Sequence, residues 1–167
     1  MKKTTIAATV CSGVLTGLLG ASAQYNADGS ALHLDYCMAD VRSKIVAVGL
    51  SASIEVLGAG DGVGFATPMA TRHKFQGWPD MFMETPGDGT EDIYLGVVGK
   101  IGRATLKAIY HDFSADDTHA DWGSELDFIA TWAATEDLTT QRHYADFHAD
   151  KWKVNTKKFR ATLPLKL

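Results

Sequence analysis

Residues 46–56 read Val46-Ala-Val-Gly-Leu-Ser-Ala-Ser-Ile-Glu-Val56. Val46, Val48, Leu50, Ala52, Ile54 and Val56 fall on one side of an extended chain, and Ala47, Gly49, Ser51, Ser53 and Glu55 on the other. A period of two sustained this long predicts a strand with one apolar and one polar face. The pattern recurs on both sides of this stretch. Leu32, Leu34, Tyr36 and Met38 alternate with His33, Asp35 and Cys37, and Leu106, Ala108 and Tyr110 with Thr105, Lys107 and Ile109. Leu126, Phe128, Ala130 and Trp132 alternate with Glu125, Asp127, Ile129 and Thr131; Phe159, Ala161, Leu163, Leu165 and Leu167 alternate with Arg160, Thr162, Pro164 and Lys166. Ile93–Ile101 and Leu138–Phe147 fill the gaps less regularly, which makes seven predicted strands and no helix of consequence.

The connections alternate as well. Tight ones are expected at Ala39–Ser43, Lys100–Arg103 and Ala134–Asp137, and long polar ones at Gly58–Glu91, Ser114–Asp121 and His148–Thr156. Short turns at one end and long loops at the other mark a transmembrane β-barrel, although a soluble sandwich also alternates apolar and polar residues. Tyr36, Tyr110, Phe128 and Trp132, near strand ends on the apolar faces, favour the membrane barrel, where they would form an interfacial girdle. The segment 58–91 carries Phe65, Phe75, Trp78 and Phe82, with Pro68, Pro79 and Pro86 opposing regular pairing. Such a loop is expected to fold on itself or tuck into a barrel mouth.

Composition bounds the function. The 167 residues are 46% apolar and 22% charged, with a net charge of −4, which argues against a nucleic-acid binder needing a basic face. Lys2 and Lys3, the largely apolar stretch Ile6–Leu19 and the Ala21-Ser-Ala23 site form a bacterial-type secretory signal over residues 1–23. Residues 24–167 are then the barrel domain. Cleavage before Gln24 removes Cys11 and leaves Cys37 alone, so no internal disulfide can form in the exported chain. Gln24 is accordingly the expected mature N-terminus.

Motifs for catalysis are lacking. Gly58-Ala-Gly-Asp-Gly-Val-Gly64 has Val63 where a dinucleotide fingerprint needs its third glycine, and no helix follows. There is no C-x-x-C, H-E-x-x-H or G-x-S-x-G, and the six histidines lack metal spacing on one element. Asp112, Asp116, Asp117 and Asp121 crowd one loop, which reads as a solvated acidic loop rather than a Ca²⁺ site. No enzyme activity, metal or cofactor is expected.

Several runs carry a family resemblance: Glu55-Val-Leu-Gly-Ala-Gly-Asp-Gly62, Gly64-Phe-Ala-Thr-Pro68, His73-Lys-Phe-Gln-Gly-Trp78, Glu91-Asp-Ile-Tyr94, Tyr110-His-Asp-Phe-Ser-Ala-Asp-Asp117, Gly123-Ser-Glu-Leu-Asp127 and Tyr144-Ala-Asp-Phe147. From about Ala31 onward the chain resembles the C-terminal part of the alginate-export family of bacterial outer-membrane porin-like proteins, which are usually more than twice as long. The resemblance implies an outer-membrane β-barrel passing anionic or other hydrophilic solutes. The chain departs from the family at Thr140 and Arg142, where aliphatic residues are the pattern, and its inward positions lack the many arginines of alginate exporters. It also ends in Leu167 where outer-membrane barrels commonly end in an aromatic.

The expectation is therefore an all-β, antiparallel up-and-down transmembrane barrel or partial barrel of seven to eight strands. An eighth strand would come from Gln24–Ser30 or a second copy of the chain. Its predicted work is passive passage of hydrophilic small solutes or oligosaccharides, its surroundings outer-membrane lipid. Glu55, Lys107, His111, Glu125, Asp127, Gln141 and His143 are the candidate pore-lining residues. The acids among them outnumber Lys107 and lead to an expectation of modest cation preference. The alternatives are a soluble periplasmic β-barrel binding module and a truncated barrel remnant without transport activity.

Overall fold

A computed structural model describes residues 14–25, 31–66, 76–135 and 137–164. Lys2, Lys3, Cys11, residues 26–30 of the expected eighth strand, Pro68, the run 73–75, Leu165, Lys166 and Leu167, singled out above, lie outside the described residues. No helix occurs among the residues described. The strands are β1 Val14–Tyr25, β2 Ala31–Ile45, β3 Val48–Leu57, β4 Ala59–Gly60, β5 Val63–Gly64, β6 Thr90–Ile101, β7 Ala104–Ser114, β8 Asp121–Ala133, β9 Thr139–Ala149 and β10 Thr156–Thr162. Eight of them form one antiparallel sheet in the order β1-β2-β3-β6-β7-β8-β9-β10, and β4 and β5 make a separate small hairpin. Apart from that hairpin, each strand pairs with its sequence neighbour, an up-and-down meander. The sheet's edges are β1 and β10; among the described residues no pairing joins them.

All seven predicted strands are present, as β2, β3 and β6–β10. The eighth, β1, comes mostly from the expected leader, pairing with β2 from Val14↔Arg42 to Tyr25↔Ala31. Cleavage before Gln24 would remove all of β1 except Gln24 and Tyr25.

The first tight turn is misplaced in the sequence reading. Ala39–Ser43 is not a turn: β2 continues through it to Ile45, and the chain reverses at Val46-Ala47. Asp40 and Arg42 look like turn residues, yet they are the inward half of a continuing alternation whose outward half is Val41 and Ser43. The tight turn before β7 and the three long loops fall where expected.

Register divides the sheet into two chemically opposite faces. On one, Leu50, Val97, Ala108, Phe128, Tyr144 and Phe159 line up across β3, β6, β7, β8, β9 and β10. Ala52, Leu95, Tyr110 and Leu126 form the next row toward the long loops, and Val48, Gly99, Leu106 and Ala130 the next toward the turns. Most of these large side chains are exposed; Leu95 is 57% accessible and Trp132 51%. The opposite face carries the rows Asp40, Ser53, Tyr94, His111, Glu125 and Ser51, Gly96, Ile109, Asp127, Ala145.

The molecule's core lies on the polar face, at its long-loop end. Phe82 from the loop before β6 packs among Phe113, Ala115, Trp122 and Phe147, with ring centroids 4.6 Å from Phe113 and 5.7 Å from Trp122. This inward core reverses one predicted face. Tyr36 does not join an outer girdle; its hydroxyl turns inward and donates to Glu55 at 3.1 Å. Leu34, by the same parity, is buried. Apolar residues at the loop end of β2 pack inside because the long loop covers them there.

Candidate functional site

The segment 76–89 crosses the loop end of the polar face as a plug. Its approach requires Gly77, at φ +78°, because a Cβ there would meet the Glu125 carboxylate. Beside it, Trp78 is held by its backbone and its ring. Its N–H donates to Glu125 Oε1, and its carbonyl accepts from Lys158 Nζ at 3.3 Å. The ring stacks on His143 at 3.9 Å, with the Arg160 guanidinium 5.9 Å from its centroid. Lys158 also pairs with Asp80 at 2.8 Å, so a β10 side chain clasps two plug residues. Two further described residues of the loop are tied to other elements: Phe65 packs against Tyr36 at 5.8 Å, and Asp117 N–H bonds the Asp88 carbonyl at 3.0 Å. Of the loop expected to fold on itself or tuck into a barrel mouth, the described part 76–89 packs against the polar face of the sheet.

Under the plug lies a buried polar row. His111 Nδ1 lies 2.9 and 3.0 Å from the two Asp92 carboxylate oxygens, and its Nε2 lies 3.8 Å from Asp127 Oδ2. With an ionised Asp92 that nitrogen is the donor, and in either tautomer Nε2 faces Asp127. Asp127 and Glu125 are each 1% exposed, two residues apart on one strand and on the same face. Neighbouring carboxyl groups withdrawn from water repel unless a proton lies between them.

Below the plug a cavity of about 780 Å³ runs along the polar face to the turn end. Trp78, Tyr94, Lys107, His111 and Asp127 line its inner part, and Arg42, Lys44, Lys100 and Thr105 its outer part. Arg42 Nε bonds Asp40 Oδ1 at 2.6 Å, and Ser53 Oγ donates to the other Asp40 oxygen at 2.7 Å.

The seven residues singled out in the sequence all project from this one face, but they separate into three groups. Lys107, His111 and Asp127 line the cavity. Glu55, Glu125 and His143 are buried at its loop end, each against a tyrosine or the plug. Gln141 lies nearer the turns, its Nε2 3.4 Å from Thr131 Oγ1. Sequence reasoning missed Asp92, Lys158, Asp40 and Arg42. Asp92 was detectable by counting back two from Tyr94, whereas the Lys158–Asp80 pair joins residues 78 apart in sequence, beyond any local pattern.

Among the described residues no cluster of three or more His, Cys, Asp or Glu is placed to hold a metal ion. In the acidic loop Asp121 spends an oxygen on the Gly123 N–H at 3.0 Å. No family model, curated protein or solved structure matches this chain.

Proposed function

We propose that this chain is a porin-like β-barrel of the bacterial outer membrane that passes hydrophilic small solutes or oligosaccharides, its lumen stoppered at the loop end by residues 76–89. One observation carries the reading: a multi-row apolar face lies back to back with a polar, charged face on the same strands. A soluble sheet buries its apolar face; this one buries the loop-end part of its polar face and presents Leu95, Phe128 and Trp132 outward. Large exposed apolar patches mark a contact surface for protein or membrane. From Ile93 to Ile101 the outward residues extend about 26 Å along the strand at about 3.3 Å per residue. A strand tilt of about 40° reduces this to about 20 Å, close to the apolar band of about 25 Å seen on outer-membrane barrels. The resemblance to the alginate-export family supports the same reading.

Passage needs a closed wall and an open bore. With β1 in place, the two edge strands run antiparallel, so closure follows the ordinary even-stranded pattern. With β1 removed as a leader, β2 and β10 run parallel, and further strands or a second copy are needed to restore that pattern. The experiment is fractionation of cells expressing the full chain. The expected result is a carbonate-resistant outer-membrane pellet whose purified protein conducts ions in a planar bilayer. Soluble periplasmic protein would instead favour the second reading, a binding module, for which the 780 Å³ cavity speaks. Outer-membrane material that never conducts would favour the barrel remnant.

A further inference from the structure

The apolar face carries charge at two places in its middle rows. Asp146 and Lys157 face each other at the loop end of the β9–β10 pair and are joined at 3.2 Å. Arg142 is different. It is exposed and lies opposite Ala130 on β8 and Ala161 on β10. Among the described residues no carboxylate forms an ion pair with it. Arg142 and Ala130 line a groove of about 430 Å³, whose walls include Leu106, Phe128, Tyr144 and Phe159. Phe159 is 67% exposed and leans on nothing that covers it.

Position along the strand matters. Arg142 lies three residues from the start of β9, about 10 Å from the turn end. A long arginine side chain at that depth can leave its stem among apolar neighbours and bring its guanidinium to the level of lipid headgroups. The guanidinium is a planar fork that matches a phosphate with two parallel hydrogen bonds. An apolar groove beside an exposed cation that no carboxylate offsets is complementary to one kind of occupant.

We propose that this outer groove is a binding site for a net-anionic phospholipid, its phosphate on Arg142 and one acyl chain between Leu106, Phe128 and Phe159. The proposal rests on the membrane reading above.

The test is native mass spectrometry of the full chain in detergent micelles, offered equal amounts of phosphatidylglycerol and phosphatidylcholine with identical acyl chains. The expected result is one retained lipid, with phosphatidylglycerol preferred about tenfold, the scale of one charge-assisted contact. Arg142→Leu should abolish that preference, and Arg142→Lys should keep part of it. Ala130→Trp, which fills the groove and leaves the cation, should lose retention of both lipids. Equal retention of the two lipids by the wild type, or an unchanged preference in Arg142→Leu, overturns the site while leaving the membrane reading intact. Displacement of the lipid by millimolar inorganic phosphate overturns the acyl half of the site. A chain that is soluble without detergent and retains neither lipid overturns both proposals together.

Discussion

Val46 stands at the reversal between β2 and β3 with φ +56° and 84% of its surface exposed. A β-branched side chain in the left-handed region crowds its own backbone, at a cost of about 1–3 kcal/mol, and exposure returns little of it through burial. Asparagine tolerates this region, so Val46→Asn is expected to raise stability by about 1 kcal/mol, read as a higher urea midpoint in detergent with unchanged m-value. An equal or lower midpoint would mean the turn relaxes to accommodate valine. The same position shows what local pattern can and cannot supply. Val46 continues the alternation of Val48 and Leu50, so the strand reads as beginning there. The sharp reversal carries no glycine or proline to announce it, and Asp40, Arg42 and Ser43 draw the turn to themselves. Asp40 is buried on the polar face and Arg42 follows it there, exposed at the outer part of the cavity, so these charged side chains continue a strand instead of ending it.

At the scale of elements, the segment 76–89 decides whether the polar face is open. Trp78 is its anchor, gripped by Glu125 through its N–H, by Lys158 through its carbonyl, and by His143 through ring stacking. Phe82, four residues on, fills the aromatic core. Trp78→Ala removes the ring contacts and keeps the backbone bonds; adding Lys158→Ala also removes the clasp on Asp80 at 2.8 Å. The double variant is expected to free the first plug residues and raise bilayer conductance several-fold, while Phe82 keeps the fold's core. Trp78→Ala alone should have the smaller effect, because two of its three grips are backbone bonds or lie in Lys158. Unchanged conductance in the double variant would show that 76–89 does not obstruct the path. The sequence pointed to the plug through its density of aromatics and prolines, which is a compositional signal. It could not say which ring is gripped, since every partner lies on a strand far along the chain.

For the whole molecule, the alternating faces are the legible part and the packing over the loop end the illegible one. Period-two alternation locates strands and assigns most outward residues, because an exposed apolar row repeats on every strand. It misassigns Tyr36 because the loop end of the sheet is packed from the inside. That inversion also changes the expected charge of the bore. Counting inward residues along the strands gives Glu55, Glu125 and Asp127 against Lys107, and hence a preference for cations. Folding removes Glu55 and Glu125 from the tally by burying both at the plugged end. The cavity wall toward the turns carries Lys44 and Lys100, with Arg42 and Asp40 offsetting each other at 2.6 Å, and Lys107 and Asp127 lie deeper in. A bore whose open end is basic concentrates anions at low salt and loses that bias as the screening length falls to about 3 Å at 1 M. Bilayer recordings across a salt gradient are therefore expected to give a reversal potential of anionic sign at low ionic strength that shrinks toward neutrality at high. Lys100→Glu with Lys107→Glu should reverse it, whereas Glu125→Gln, lying under Trp78, should leave it nearly unchanged. Cation preference in the wild type that weakens in Glu125→Gln would restore the simpler strand-by-strand count and mean that the plug leaves the bore in the conducting state.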